Sequence, residues 1–171
     1  MGAKSKQYFN IFVFVISLIF FDQLSKYLVV KYVKLGSIYF SFFDNFFRII
    51  HVRNTGILFS MGSDIHYSLK KIFFLAMPIF ILIFVFSLAL KEKNCISRIS
   101  LLLIFSGGVG NIIDRLFRPS GVVDFLDFKF YGIFGLDRWP TFNFADSYVV
   151  IGMILFLVYV FFFIKRKALN T

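Results

Sequence analysis

Ser106-Gly107-Gly108-Val109-Gly110-Asn111-Ile112-Ile113-Asp114-Arg115 ends an apolar run that begins at Ile99. A run of this kind reads as a helix. Asn111 and Asp114 are three apart, and Asn111 and Arg115 four apart, so all three share one face. A charge held in hydrocarbon costs roughly 2.5–3.5 kcal/mol on insertion scales. The polar face must therefore turn inward, against other helices. Gly107, Gly108 and Gly110 leave space for a close neighbour or for a substrate.

The chain around this helix has lipid as its solvent. Of 171 residues, 59% are hydrophobic and 22% aromatic, with mean hydropathy +0.83. A soluble domain of this length cannot hide so much apolar surface. The net charge of +10 would fit nucleic acid in a soluble protein, but the basic residues cluster beside apolar runs, as topology signals do. No nucleic-acid partner is expected. The single cysteine, Cys95, excludes an internal disulfide and reads as a loop thiol.

Four membrane helices are expected: Tyr8–Val30, Ile72–Leu90 with a kink at Pro78, Ile99–Ile113, and Phe142–Ile164. The first lacks a small-x-small cleavage site and its pattern continues past Asp22, so it reads as a span rather than a signal peptide. Met1-Gly2 lacks the Ser or Thr that myristoylation wants, with Lys6 in its place. Between the first two helices, Ile38, Phe40 and Phe42 alternate with Tyr39 and Ser41. Phe47, Ile49 and His51 alternate with Arg48, Ile50 and Val52. These predict two or three short strands at the membrane boundary. Lys91–Arg98 reads as a basic loop, and Arg115–Thr141 as a polar loop. The fold class is thus an all-α polytopic membrane protein with four transmembrane helices, a small extracytoplasmic β-sheet and an outer loop, all in a single domain, 1–171. Lys4, Lys6, Lys91, Lys93, Arg98, Lys165, Arg166 and Lys167 fall on one side, which places both termini in the cytoplasm.

This topology brings Asp22, Asn54, Asp114, Arg115, Asp124, Asn143 and Asp146 to the outer side. Two carboxylates in one notch cannot both ionise cheaply, so one keeps a proton. Aspartic proteolysis needs that arrangement. The spacing leaves open which two of the acids pair. Each residue also has a plainer reading. Asp114 and Arg115 would form a structural ion pair, Asn143 would cap its helix, and Asp127 and Asp137 would be solvated loop charges. Asp146, inside an apolar helix, resists such a reading. Asp22 and Lys26, four apart, form a helical pair that is solvated or meets headgroups. Ser25 and Lys26 are helix neighbours about 100° apart and make no dyad. His51 and His66 lack metal-ligand spacing, and no phosphate-binding loop occurs. A proton-coupled transporter would need polar residues through the full helix depth. Here they cluster at one end. A non-catalytic scaffold would need no acid cluster.

Five motifs, in order, resemble bacterial lipoprotein signal peptidase (signal peptidase II). They are Asp22-Gln23-Leu24-Ser25-Lys26, Asn54-Thr55-Gly56 with Phe59, Gly107–Arg115, Val122-Val123-Asp124-Phe125 and Phe142-Asn143-Phe144-Ala145-Asp146. The resemblance implies an aspartic endopeptidase of the bacterial cytoplasmic (inner) membrane. It would cut prolipoproteins before a diacylglyceryl-modified cysteine, without metal or cofactor, and would be blocked by globomycin. It implies Asp124 and Asp146 as the catalytic dyad near the outer face. Asn54, Gly56, Asn111, Asp114, Arg115 and Asn143 would support and bind substrate. Asp22 and Lys26 would be structural or headgroup-facing. Its expected partners are diacylglyceryl-prolipoproteins and membrane lipid, and the expected state is a monomer. Ile57-Leu58 stand where the family has small residues. The resemblance also implies an outer loop helix lying over the site as a lid, within Leu116–Arg138, of which Phe130–Arg138 matches none of the motifs.

Overall fold

The computed structural model describes residues 2–55 and 75–164. The first helix, α1 (Ala3–Tyr32), is followed by strands β1 (Ile38–Phe42) and β2 (Phe47–Asn54). Then come α2 (Met77–Lys91), α3 (Cys95–Phe117), β3 (Val122–Phe128) and α4 (Phe144–Tyr159). A π-helical stretch, Val160–Ile164, continues α4.

Lys4–Tyr32, Cys95–Phe117 and Phe144–Phe162 are long and apolar enough to cross a membrane. Each exceeds or approaches the roughly 20 residues that a bilayer core requires. The helix α2 has 15 residues. Residues 72–74 of the expected span Ile72–Leu90 lie outside the described part. Pro78 is the second residue of α2, and residues 75–76, just before the helix, are π-helical. A change of helical pitch thus stands beside Pro78, a setting in which helices kink.

The burial pattern is inverted relative to a water-soluble domain. Phe12, Phe20, Phe80, Phe84 and Phe161 are exposed, whereas Asp22, Lys26, Ser97, Ser100, Asp114 and Asn143 are wholly buried. Small residues let these polar faces meet. A Cβ on Gly107 would sit 2.2 Å from the Ala145 carbonyl oxygen, and one on Gly152 would sit 2.7 Å from that of Ser100. These glycines therefore bring α3 and α4 into backbone contact.

Two corrections to the loop expectations follow. Lys91–Arg98 is mostly not loop, because α3 starts at Cys95. The Asn94 Oδ1 accepts from the backbone N–H groups of Ile96 and Ser97 and caps the helix. Arg115–Thr141 is not simply a polar loop either. It contains β3, which pairs antiparallel with β2 in a sheet of order β1-β2-β3. The two aspartates in Val122–Phe128 disguise the strand, although most of it is buried. Val123 and Phe125 pack on Val29 and Val33 at the end of α1. Asp124, between them in sequence, projects from the opposite face. His51 on β2 is buried, with its Nδ1 2.8 Å from the Val33 carbonyl oxygen.

Asp127 is not a solvated charge. It is 2% exposed, accepts from the Arg138 Nε at 2.8 Å and pairs with Arg48 at 2.5 Å. One arginine stands on β2 and the other lies beyond β3, so Asp127 fastens the segment after β3 to the sheet. Asp137 is exposed.

The glycine contacts differ in a testable way. Gly107→Ala sets a methyl group against α4 backbone. In Gly108→Ala the obstacle is the end of the Leu82 side chain, 2.4 Å from the added carbon, which is able to rotate. Gly107→Ala is expected to lower stability in detergent by about 1–3 kcal/mol, the usual range for overpacking, and Gly108→Ala by clearly less. Thermal unfolding of the two variants, followed side by side, checks the order.

Candidate active site

Two linked layers of polar side chains occupy the end of the bundle where α1 finishes, α3 finishes and α4 begins. The inner layer is a charge cluster. Lys26 Nζ lies 2.9 Å from Asp22 Oδ2 and 3.5 Å from Asp114 Oδ2, with all three side chains fully buried. It also donates to Asn111 Oδ1 at 3.0 Å. The two carboxylates reach well beyond this lysine. Asp22 Oδ1 accepts the Ala145 N–H in the first turn of α4 at 2.9 Å. Asp114 Oδ2 accepts the Val123 N–H of β3 at 3.0 Å, and its Oδ1 pairs with Arg118. Gln23 adds three donor contacts from one amide, to Asp22, Asp114 and the Gly110 carbonyl oxygen.

Of the two readings open for Asp22 and Lys26, the geometry agrees with the structural one: they form the expected ion pair, fully buried, and join α1 to α3 and α4. One expectation is corrected. Asp114 pairs with Lys26 and Arg118, not with its neighbour Arg115. Gln23 and Arg118 were missed in the sequence. Their signals were present: an amide in the same apolar run as Asp22, and an arginine one helical turn after Asp114.

The outer layer contains Asp124 and Asp146. Asn143 is the N-cap of α4, and Asp146 is the third residue of that helix. The Asn143 Oδ1 accepts the Asp146 N–H at 2.9 Å, while Asp146 Oδ2 accepts the Asn143 N–H at 3.1 Å. This is a capping box, which places the Asp146 carboxylate at the positive end of the helix. Asp146 thus has a structural role that its place in an apolar run concealed. Its Oδ1 accepts from Asn111 Nδ2 at 2.7 Å. The Asn143 amide also reaches Asp124 Oδ1 at 2.8 Å and Asn111 Oδ1 at 3.2 Å. Asn111 and Asn143 therefore link the two acids, and Lys26 fixes which way the Asn111 amide points.

Burial and then the negative charge of Asp146 push the Asp124 carboxyl up to about 6. Hydrogen bonds from Asn54 and Asn143, and the positive field of Lys26, oppose that rise. Asp124 is 3% exposed, whereas Asp146 is half-buried. Arg115, also half-buried, lies within electrostatic reach of Asp146, Asp124 and Asp114. Asn54 ends β2 opposite Val122. Gly121, at φ +93°, permits that approach, since a Cβ there would sit 2.4 Å from the Asn54 carbonyl oxygen. Gly56, Ile57, Leu58 and His66 lie outside the described residues.

Residues 14–162 match the family model described as "Signal peptidase (SPase) II". The chain belongs to the signal peptidase II family. Relatives named lipoprotein signal peptidase include one from Borrelia garinii subsp. bavariensis, 97% identical over the full length of both chains. Another, from Borreliella burgdorferi, is 92% identical over 99% of each chain, and one from Borrelia turicatae is 67% identical over 99% of each. A solved bacterial membrane enzyme superimposes with TM-score 0.73 at 33% identity, covering 88% of this chain and 92% of that one. A second gives TM-score 0.76 at 31% identity over 95% and 92%. The two polar layers are therefore set within a signal peptidase II fold.

Two measurements test this geometry. The Asp124 proton is expected to leave near pH 6, read as loss of a protonated-carboxyl infrared band that Asp124→Asn lacks. In Asp146→Asn a neighbouring negative charge is gone, so the midpoint is expected to fall. It stays above the ordinary aspartate value of 3.8 because burial, the larger cause, persists. An unchanged midpoint would show that the two acids do not interact. Separately, Lys26→Met leaves Asp22 and Asp114 buried without their shared cation. A loss of about 3–5 kcal/mol in unfolding free energy is expected, as for other broken buried pairs.

Proposed function

We propose that this chain is a membrane aspartic endopeptidase that removes the signal peptide from diacylglyceryl-modified prolipoproteins, cutting before the lipidated cysteine. The observation that carries this reading is the Asn111–Asn143 bridge between Asp124 and Asp146, one carboxyl buried and raised, the other at a helix N-terminus. Membership of the family, with relatives named lipoprotein signal peptidase, supplies the substrate class.

The chemistry follows from unequal surroundings. In this scheme Asp124, whose burial favours a proton, starts as the acid, and Asp146 starts as the base. Asp146 takes a proton from water as the oxygen attacks the scissile carbonyl carbon, and Asp124 gives its proton to the carbonyl oxygen. A gem-diol results. Asp146 then protonates the leaving amide nitrogen, the C–N bond breaks, and one gem-diol proton returns to Asp124. Both carboxyls end as they began, with no cofactor consumed.

Asn111 and Asn143 hold the pair in register, and Asp114 holds the β3 backbone beside Asp124. Asn54, Gly56 and Arg115 would meet the substrate backbone, and Ile57-Leu58 would narrow that wall. A fourth span over Ile72–Leu90 would complete one integral-membrane domain, 1–171, with both termini cytoplasmic and the dyad near the outer face of the inner membrane. A lipid-bearing substrate would arrive sideways, its acyl chains still in the bilayer. The exposed aromatic residues of β1 and the segment after β3 would lie at that boundary. A monomer suffices, and globomycin would compete with substrate.

Asp124→Asn and Asp146→Asn are each expected to slow cleavage of a diacylglyceryl-prolipoprotein in vesicles by at least about a hundredfold, the contribution typical of a positioned acid or base. Near wild-type cleavage by either variant would sink the assignment. Cleavage is expected to be unchanged by EDTA, whereas a strong loss would point to a metal.

A further inference from the structure

The opposite end of the bundle carries a second feature that the peptidase reading does not use. There α1 and α3 both begin, and a cleft of about 480 Å³ opens between them. Lys6, Asn10, Cys95 and Arg98 line its mouth, and Phe14 and Leu102 stand further along the two helices. None of the described residues lining it is acidic. The nearest acid in sequence, Glu92, spends its carboxylate on the N–H groups of Lys93 and Asn94 and on the Ser97 hydroxyl.

Arg98 is held in place by backbone, with the Glu92 carboxylate in electrostatic reach but not hydrogen-bonded to it. Its Nε and Nη2 donate to the Glu92 carbonyl oxygen at 3.0 and 2.6 Å. Two helices present their positive ends to the same opening. The cleft thus pairs a cationic, amide-lined mouth with an apolar floor. A soluble anion would satisfy the mouth and leave the floor wet. A zwitterionic lipid would bring its own cation toward Lys6 and Arg98.

We propose that this cleft holds the phosphate head and one acyl chain of an anionic phospholipid. The site is independent of the dyad, so its test does not depend on cleavage. Cys95, the only cysteine in the chain and exposed at the cleft, is a built-in reporter. The full chain is placed in nanodiscs of phosphatidylcholine alone or with phosphatidylglycerol, and alkylation of Cys95 by neutral N-ethylmaleimide is timed. Phosphatidylglycerol is expected to slow the reaction severalfold. Lys6→Gln and Arg98→Gln are each expected to weaken this protection about fivefold, the effect of one cation near an anionic lipid surface. Lys6 lies exposed on the helix surface, so Lys6→Gln keeps the test valid if the Arg98 variant disturbs its loop. Equal rates in the two lipid mixtures would overturn the proposal. So would protection that survives both substitutions, or protection by inorganic phosphate alone in phosphatidylcholine discs. A general surface effect would appear as equal slowing at an exposed control thiol, Lys93→Cys in a Cys95→Ser background, and would also overturn it.

Discussion

A lysine without water has to find its counter-charges inside the protein, and Lys26 finds two. Its ammonium group lies between Asp22 and Asp114, and its third contact goes to the Asn111 amide. In hydrocarbon this is less a source of stability than a condition for folding, because each ion costs several kcal/mol to dehydrate and any missing partner leaves that cost unmet. The cluster can form only when α1 and α3 are in register. The Asp22 bond to the Ala145 N–H extends the same demand to α4, and the Asp114 bond to the Val123 N–H extends it to β3. One set of buried charges thus specifies the relative placement of three helices and a strand, where apolar packing against lipid would be permissive.

The glycines are the counterpart of this constraint. A cluster built from short carboxylates works only if the backbones come close. The Gly110 position shows the link directly, since a Cβ there would sit 2.6 Å from Asp22 Oδ2 and 3.2 Å from the Ala145 Cβ. Space at Gly107 and Gly110 is therefore filled by α4 and by the charge cluster. That settles one of the two uses that the sequence left open for those residues.

Much of this architecture was legible from apolar length alone. α1, α3 and α4 stand out because a membrane span is long and continuous. The hairpin of β1 and β2 stands out because its residues alternate. β3 was hidden because Asp124 and Asp127 interrupt its apolar pattern, and what buries them is tertiary: Asn143 for one, Arg48 and Arg138 for the other. The same limit applies at the site. Helical spacing put Asn111, Asp114 and Arg115 on one face, but it could not tell that Asp114 would choose Lys26 and Arg118 as partners. The reading of Asn143 as a cap puts Asp146 in the first turn of its helix, but the return bond from Asp146 to the Asn143 N–H is a matter of side-chain geometry that the apolar run after Phe142 could not reveal.

That last point bears on how the two carboxylates are kept different. Asp146 has a neutral reason to exist, because a capping box needs an acid or amide at the third helical position. The cap fixes Asp146 Oδ2 and commits the Asn143 Oδ1, which leaves the Asn143 amide nitrogen free to turn toward Asp124. The Asn111 amide is oriented by Lys26 in the same way, its oxygen toward the cation and its nitrogen toward Asp146. Neither asparagine can flip without breaking a bond to a buried charge or to a helix end. The geometry between the acids is thus imposed from behind by the charge cluster and from below by the helix cap. Asp124 stands on β3, where burial and the neighbouring Asp146 favour a proton more strongly than the amides of Asn54 and Asn143 oppose it, so the two carboxyls sit in unequal surroundings.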